Sequence, residues 1–288
     1  MPEFASPLRY PGGKAGLSGF LAEVIRLNGL ADAVYAEPYA GGAGAALHLL
    51  FGEHVSRVLI NDKDRCVAAF WRAVINRHER FLGLLEDTPV TIEEWHRQRQ
   101  VYLNPARHSF VDLGFATFFL NRCNRSGIIP TGGPIGGQGQ TGKWKLDARF
   151  NRKELRRRIE KIVSYRERIE IFSKDAIVFL TEIVAPRSRT RPLLVYLDPP
   201  YYAKGQELYL SAYKHWDHVT LAKFISCGFA YKWLMTYDNV PQVRKIYSAF
   251  RRIPFSLSYT AYDRRVGQEL LIHNGDLKIP RAKLGTVA

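Results

Sequence analysis

Along the chain, short apolar runs alternate with stretches whose apolar positions recur at helical spacing. Residues 33–40, AVYAEPYA, read as a strand, and GGAGAALHLLF after it carries a helix from Ala45 to Phe51. SRVLINDKD is a short apolar strand ending in acid. Residues 66–86, CVAAFWRAVINRHERFLGLLE, predict one long helix with Val67, Phe70, Trp71, Val74 and Ile75 on one side. Two more helices are predicted around 91–102 and 110–123. The next stretch, SGIIPTGGPIGGQGQTGKWK, is dense in Gly and Pro and nearly free of core formers after Ile135. It reads as a functional or disordered loop, not as regular structure. RFNRKELRRRIEKIVSYRERIE resumes a helix on the stripe Leu155, Ile159, Ile162 and Val163. Strand and helix then alternate: IEIFSKD with AIVFLTEI, LLVYLDPP with HVTLAKFISCG, KWLMTYDN with VPQVRKIYSAF. RRIPFSLSYTAY and QELLIHN have no helix between them and read as an antiparallel pair.

This alternation predicts an α/β fold: a mostly parallel, doubly wound, Rossmann-like sheet with an antiparallel C-terminal strand pair. The expected domains are a catalytic one, residues 1–88 and 150–288, and an inserted helix-and-loop region, 89–149. Composition adds a size and a partner. With 288 residues, 46% of them hydrophobic, the chain can bury a large core. A formal net charge of +15 points first to nucleic acid and second to an anionic membrane surface. No apolar run reaches the roughly 20 residues of a membrane span, and MPEFASPLRYPGGK lacks a signal-peptide core. Cys66, Cys123 and Cys227 are far apart, which argues against a zinc site or disulfide framework and suits a reducing, cytoplasmic setting.

In such sheets ligands bind beyond the carboxyl ends of the strands, and the polar motifs fall there. The loop after the first strand, with Gly41, Gly42 and Gly44, matches neither G-x-G-x-x-G nor a phosphate loop. It offers close backbone approach, and Glu37 before it favours an ammonium-bearing ligand over a pyrophosphate. In LINDKD, Asp62 is placed to receive a ribose diol, whereas Asp64 suits a helix N-cap. Asp175 ends a third strand, where it can meet an adenine amino group or cap the next helix. At the end of VYLDPPYY, Pro199 and Pro200 stop the strand ladder and stiffen the backbone around Asp198. A stiff carboxylate and an adjacent carbonyl make two acceptors for one exocyclic NH2, and Tyr201 supplies a face for a planar base.

Together these segments resemble the Dam-type adenine-N6 DNA methyltransferases. The carrying residues are RYPGGK at 9–14, EPYAGGAG at 37–44, LINDKD at 59–64, FLNRCNRSGI at 119–128, DPPYY at 198–202 and QELLI at 268–272, in the family's order. The resemblance implies S-adenosylmethionine as cofactor, with Tyr10, Lys14, Tyr39, Gly41, Asp62 and Asp175 around it, and the charge reading of Glu37 adds that residue to the expected cofactor site. It implies that Asp198, Pro199, Pro200 and Tyr201 handle the target base, and that the insertion reads the target sequence. One departure is visible: Ala43 stands where the family's loop often has its last glycine.

The expected reaction is methyl transfer to adenine N6 in double-stranded DNA, with base flipping and direct displacement. Asn121, Arg122, Asn124, Arg125, Lys143, Lys145, Arg149 and Arg152 are the expected DNA contacts, because Arg and Asn suit G and A edges and the cluster suits phosphates. Residues 202–216 are read as a flap in which Tyr209, Tyr213 and Trp216 stack or anchor the loop. Competing readings are methylation of RNA or of another exocyclic amine, and a DNA-binding regulator without catalysis. The expected partners beyond DNA are a cognate endonuclease or other defence protein, or none for a solitary enzyme. The expected state is a monomer without membrane or metal, cytoplasmic and held at the nucleoid through DNA.

Overall fold

The computed structural model describes residues 5–9, 14–203, 213–229, 231–259 and 265–280. The chain divides into two compact units, residues 14–63 with 172–288, and residues 1–13 with 64–171.

The first unit is organised by the sheet. Strands β1 (Val34–Glu37), β2 (Arg57–Asn61), β3 (Ile169–Phe172), β4 (Leu193–Leu197), β5 (Lys232–Asp238), β6 (Arg251–Tyr259) and β7 (Arg265–His273) lie in the order β3-β2-β1-β4-β5-β7-β6. The unit boundary falls inside β3, between Ile171 and Phe172. The pairs β1–β2, β1–β4 and β4–β5 are parallel, and β7 runs antiparallel to both β5 and β6. The strand order reverses between β1 and β4, the point at which sheets of this kind bind their ligands. β1 and β4 are buried at every residue, as their unbroken apolar runs require of strands covered on both faces. Helices α1 (Ser18–Leu27), α2 (Gly44–Phe51), α8 (Ala176–Phe179), α9 (Ala185–Ser188), α10 (His215–Ser226) and α11 (Pro241–Ile246) complete this unit, with a π-turn at Leu180–Val184 joining α8 to α9.

The second unit carries α3 (Arg65–Asn76), α4 (His78–Asp87), α5 (Ile92–Leu103), α6 (Phe110–Cys123) and α7 (Arg152–Ser164). The single helix expected over 66–86 is broken at Arg77, whose φ of −143° leaves the helical region. The reason is aromatic packing. In a straight helix Phe70 and Phe81 would stand about 16 Å apart, whereas the bend brings their ring centroids to 5.7 Å. Phe115, Phe118 and Phe150 join them in one buried cluster. This cluster explains why the compact unit, 64–171, is wider than the expected insertion, 89–149. α3, α4 and α7 each pack within that unit.

The Gly-rich stretch forms no long helix or strand, yet side chains organise it. The Gln140 amide donates to Ile135 O (2.7 Å) and Gly137 O (2.7 Å) and accepts from Leu146 N (2.8 Å). Lys145 Nζ donates to Gln140 O at 2.6 Å.

Candidate active site

The site is built at the carboxyl ends of β1, β2, β4 and β5. β4 delivers Asp198, and Pro199 and Pro200 end its ladder, as their missing N–H groups dictate. The turn that follows is held by Asp238 at the end of β5. Its Oδ1 accepts from Tyr202 N (2.9 Å) and its Oδ2 from Ala203 N (2.8 Å). Asp198 is held in turn. Thr236 Oγ1 donates to its Oδ1 at 2.8 Å, so the Tyr196 hydroxyl, 2.7 Å from Thr236 Oγ1, must donate to the threonine. The Asp198 side chain remains 20% exposed, enough for a ligand to reach it.

Lys14 occupies the centre of this group. Its Nζ lies 2.5 Å from Tyr201 Oη, 3.3 Å from Asp198 Oδ1 and 3.5 Å from Glu269 Oε1, and 4.9 Å from the Tyr201 ring centroid. Tyr201 in turn donates its hydroxyl to Glu269 Oε1. Two carboxylates thus surround one ammonium. Burial raises the Asp198 carboxyl pKa, against the pull of Lys14 and the Thr236 hydrogen bond. Burial also raises Glu269, with Lys14 pulling down and Asp198 pushing up.

The cofactor-loop residues fall at the neighbouring strand ends. The loop after β1 turns through Gly41 (φ +48°) and Ala43 (φ +47°). Ala43 thus takes the left-handed conformation that the family's glycine would supply freely. Asp62 Oδ2 accepts from Gly41 N at 2.9 Å, which ties the end of β2 to the loop and leaves Asp62 half-buried. Tyr39 is half-buried and bonds Tyr213 Oη at 2.8 Å. Glu37 is buried, with Oε1 accepting from Tyr35 Oη (2.9 Å) and Ala46 N (3.1 Å). Burial raises its pKa to about 8, with repulsion from Asp198 adding to the rise. Glu37 is therefore a largely neutral carboxyl near pH 7, which corrects its reading as a standing negative charge beside the loop. Asp175 takes the capping alternative. Its Oδ1 accepts from Ile177 N (3.0 Å) and its Oδ2 pairs with Lys63 (3.1 Å). Asp64 caps α3 through Cys66 N, as its position suggested. Tyr10 and Tyr209 lie outside the described residues, as does most of the expected flap.

The expected DNA contacts divide sharply. Arg125, Lys143, Lys145 and Arg149 are exposed. Four others are consumed within the protein, which corrects their reading as base or phosphate contacts. Asn121 Oδ1 accepts from Arg9 N (2.7 Å) and its Nδ2 donates to Arg9 O (2.8 Å) and Gly127 O (2.9 Å). Asn124 accepts from Trp95 Nε1 (2.7 Å) and donates to Ile128 O (2.8 Å) and Gly132 O (3.1 Å). Arg122 Nε donates to Arg149 O (2.6 Å), and Arg152 caps the end of α4 at Leu85 O (3.0 Å) and Thr88 O (2.6 Å). The physical reason is common to all four. Irregular backbone buried beside helices must find donors and acceptors, and Asn and Arg are the side chains that supply several at once.

The profile of the D12 class N6 adenine-specific DNA methyltransferase family matches residues 10–260. The chain belongs to this family. The family's methyl donor is S-adenosylmethionine. No curated protein matches the chain at a significant level. Among solved structures, the chain is similar to a Listeria monocytogenes protein assigned to the class I S-adenosylmethionine-dependent methyltransferases, at 11% identity and a TM-score of 0.40. That match covers 96% of this chain, and the chain spans 64% of the Listeria protein. It is also similar to the rRNA methyltransferase AviRa from Streptomyces viridochromogenes, at 11% identity and a TM-score of 0.36, over 88% of this chain and 83% of that one.

The residues fit the family's cofactor. The strand-end groups here are carboxyl acceptors and a close-approach loop, which suit the donors of a diol and an ammonium, and they include no phosphate cradle of the Gly-Lys-Ser/Thr kind. Sequence reasoning quoted the segments that hold Glu269 and Asn61 but gave neither residue a role, and it passed over Thr236 and Asp238. Asn61 is fully buried and joins Pro38 O (2.9 Å) to the backbone of Lys174. Its one available signal was a polar residue at the last position of an apolar strand.

Proposed function

We propose that this chain transfers a methyl group to N6 of an adenine flipped out of duplex DNA. The observation that carries the reading is the Asp198 site itself. A braced, partly exposed carboxylate at the end of β4 already holds an N–H donor, the Lys14 ammonium, beside an aromatic ring. An exocyclic amine presents the same kind of donor. Asp198 and the Pro199 carbonyl would accept its two N–H groups and draw the nitrogen lone pair out of conjugation with the ring. Tyr201 would stack on the base, worth about 1–3 kcal/mol. When bound, S-adenosylmethionine supplies an electrophilic methyl on a sulfonium. Tyr39, Gly41 and Asp62 would hold it, with Glu37 ionising against its ammonium. The protein's main task is alignment of the amine nitrogen, since positioning alone supplies several kcal/mol of a barrier. Arg125, Lys143 and Arg149 would meet the DNA backbone, and Trp144, 63% exposed between two lysines, would stack on a base at the insertion's surface.

The test is methyl incorporation from tritiated cofactor into plasmid DNA and into RNA, followed by mass spectrometry of nucleosides. N6-methyladenine from DNA is expected. Asp198→Ala should lose about 10³-fold or more in rate, with cofactor and DNA affinity within a few-fold. A fully active Asp198→Ala enzyme overturns the mechanism, and label confined to RNA overturns the substrate.

A further inference from the structure

Glu269 sits on β7, the antiparallel strand beside β5, and no motif of the first strands announces it. Its side chain is 2% exposed. Oε1 takes the Tyr201 hydroxyl and faces Lys14, while Oε2 has no hydrogen-bond partner among the described residues. Buried carboxylate oxygens seldom go unpaired, because each forgoes water without compensation.

The geometry poses a difficulty that Glu269 resolves. Lys14 rests on the Asp198 carboxylate, at Oδ1, so an incoming amine must share that carboxylate with the ammonium or displace it. Were Asp198 its sole counter-ion, admitting the amine would strand a buried ammonium, which is strongly unfavourable. Glu269 lies 3.5 Å from the same nitrogen and keeps an unfilled oxygen. Resting on the methyl-transfer reading above, we propose that Glu269 is a positioning residue: it is the standby counter-ion that takes Lys14 from Asp198 as the target amine arrives, while holding Tyr201 by its hydroxyl. The transfer is an exchange of hydrogen bonds around one ammonium, with no bond to carbon made or broken by Glu269.

The titratable groups around the pair are Lys14, Tyr201, Tyr196, Tyr35 and Glu37. Tyr196 titrates far above neutrality because it is buried beside Asp198, and Glu37 titrates near 8. With saturating cofactor holding Glu37 ionised, the acid limb of the rate profile reports the Asp198–Glu269 pair, whose carboxyls burial raises, with Asp198 adding to the rise at Glu269. Removing the Glu269 charge lets Asp198 ionise at lower pH and leaves Asp198 as the one carboxylate of the described pair beside Lys14.

The experiment compares wild type, Glu269→Gln and Glu269→Asp in methyl transfer to plasmid DNA across pH. Glu269→Gln should lower kcat about tenfold or more, leave KM for DNA within about threefold, and move the acid limb to lower pH. Glu269→Asp should recover most of kcat and bring the limb back. Gln matches Glu in shape and still accepts from Tyr201, so a merely structural role makes Gln the better substitute. Wild-type kcat and an unmoved limb in Glu269→Gln, or Asp no better than Gln, would overturn the proposal. Should the Gln variant fail to fold, Glu269→Asp decides alone: kcat within a few-fold of wild type with a wild-type acid limb supports the role, and a tenfold or greater loss of kcat or a displaced limb overturns it. A wild type inert on DNA removes the parent reading and this role with it, whereas an active wild type with an indifferent Glu269→Gln removes only this role.

Discussion

At the scale of single residues, the cofactor loop carries a cost in backbone strain. Ala43 is buried and sits at φ +47°, ψ +30°, a conformation that costs an L-residue about 1–2 kcal/mol. The turn needs it, because Ala43 N bonds back to Ala40 O and Ala43 O starts α2 by accepting from Leu47 N. Ala43→Gly relieves the strain but adds freedom to the unfolded chain, so it should leave stability unchanged or raise it by up to about 1 kcal/mol. Ala43→Val should cost about 3 kcal/mol, since a β-branched side chain meets both positive φ and a packed interior. Urea unfolding measures both, and a valine variant as stable as wild type would refute the left-handed turn. Sequence made this residue visible as a departure from the family's glycine, but not that it must adopt the glycine's conformation.

At the scale of elements, the contact between α3 and α6 depends on one missing methyl. A Cβ on Gly114 would lie 2.6 Å from Ala69 O and 2.9 Å from Phe70 Cα. Both are backbone atoms of α3, so the helices must separate to admit a side chain. Gly114→Ala should therefore lower stability by about 2–3 kcal/mol and Tm by several degrees, read by differential scanning calorimetry. An unchanged Tm would show that the helices approach less closely. The hydrophobic pattern located α6 within a residue or two, because its apolar residues run nearly unbroken along a helix buried at most of its positions. It did not locate the break at Arg77, because Phe70 and Phe81 fall eleven residues apart, on the same face of a straight helix as of two bent ones.

At the scale of the whole molecule, the net charge of +15 is a handle on DNA, and its exposed part decides the salt dependence. The logarithm of DNA affinity should fall linearly with the logarithm of salt concentration. Lys143→Ala and Arg149→Ala, both at exposed positions, should each reduce that slope by about one phosphate contact. Arg152→Ala should leave the slope alone and lower Tm, because its guanidinium caps Leu85 and Thr88. Fluorescence anisotropy over a salt series measures the slopes, and a loss at Arg152 equal to that at Lys143 would refute the division between exposed and internal charges.

The sequence by itself determined the strand–helix alternation, the antiparallel close and the strand-end placement of Asp62, Asp175 and Asp198. These depend on local periodicity, on proline and glycine geometry, and on the rule that ligands meet strand ends. Only the tertiary structure decided which polar side chains are free. Asn121, Asn124 and Arg152 look in sequence like Arg125 and Lys143, and the difference is which unsatisfied backbone groups the folded chain brings to them. Glu269 lies 71 residues beyond Asp198 in the sequence, and only the pairing of β7 with β5 sets it beside Lys14. Hydrogen-bond demand and charge compensation are satisfied through space, and sequence spacing does not encode them.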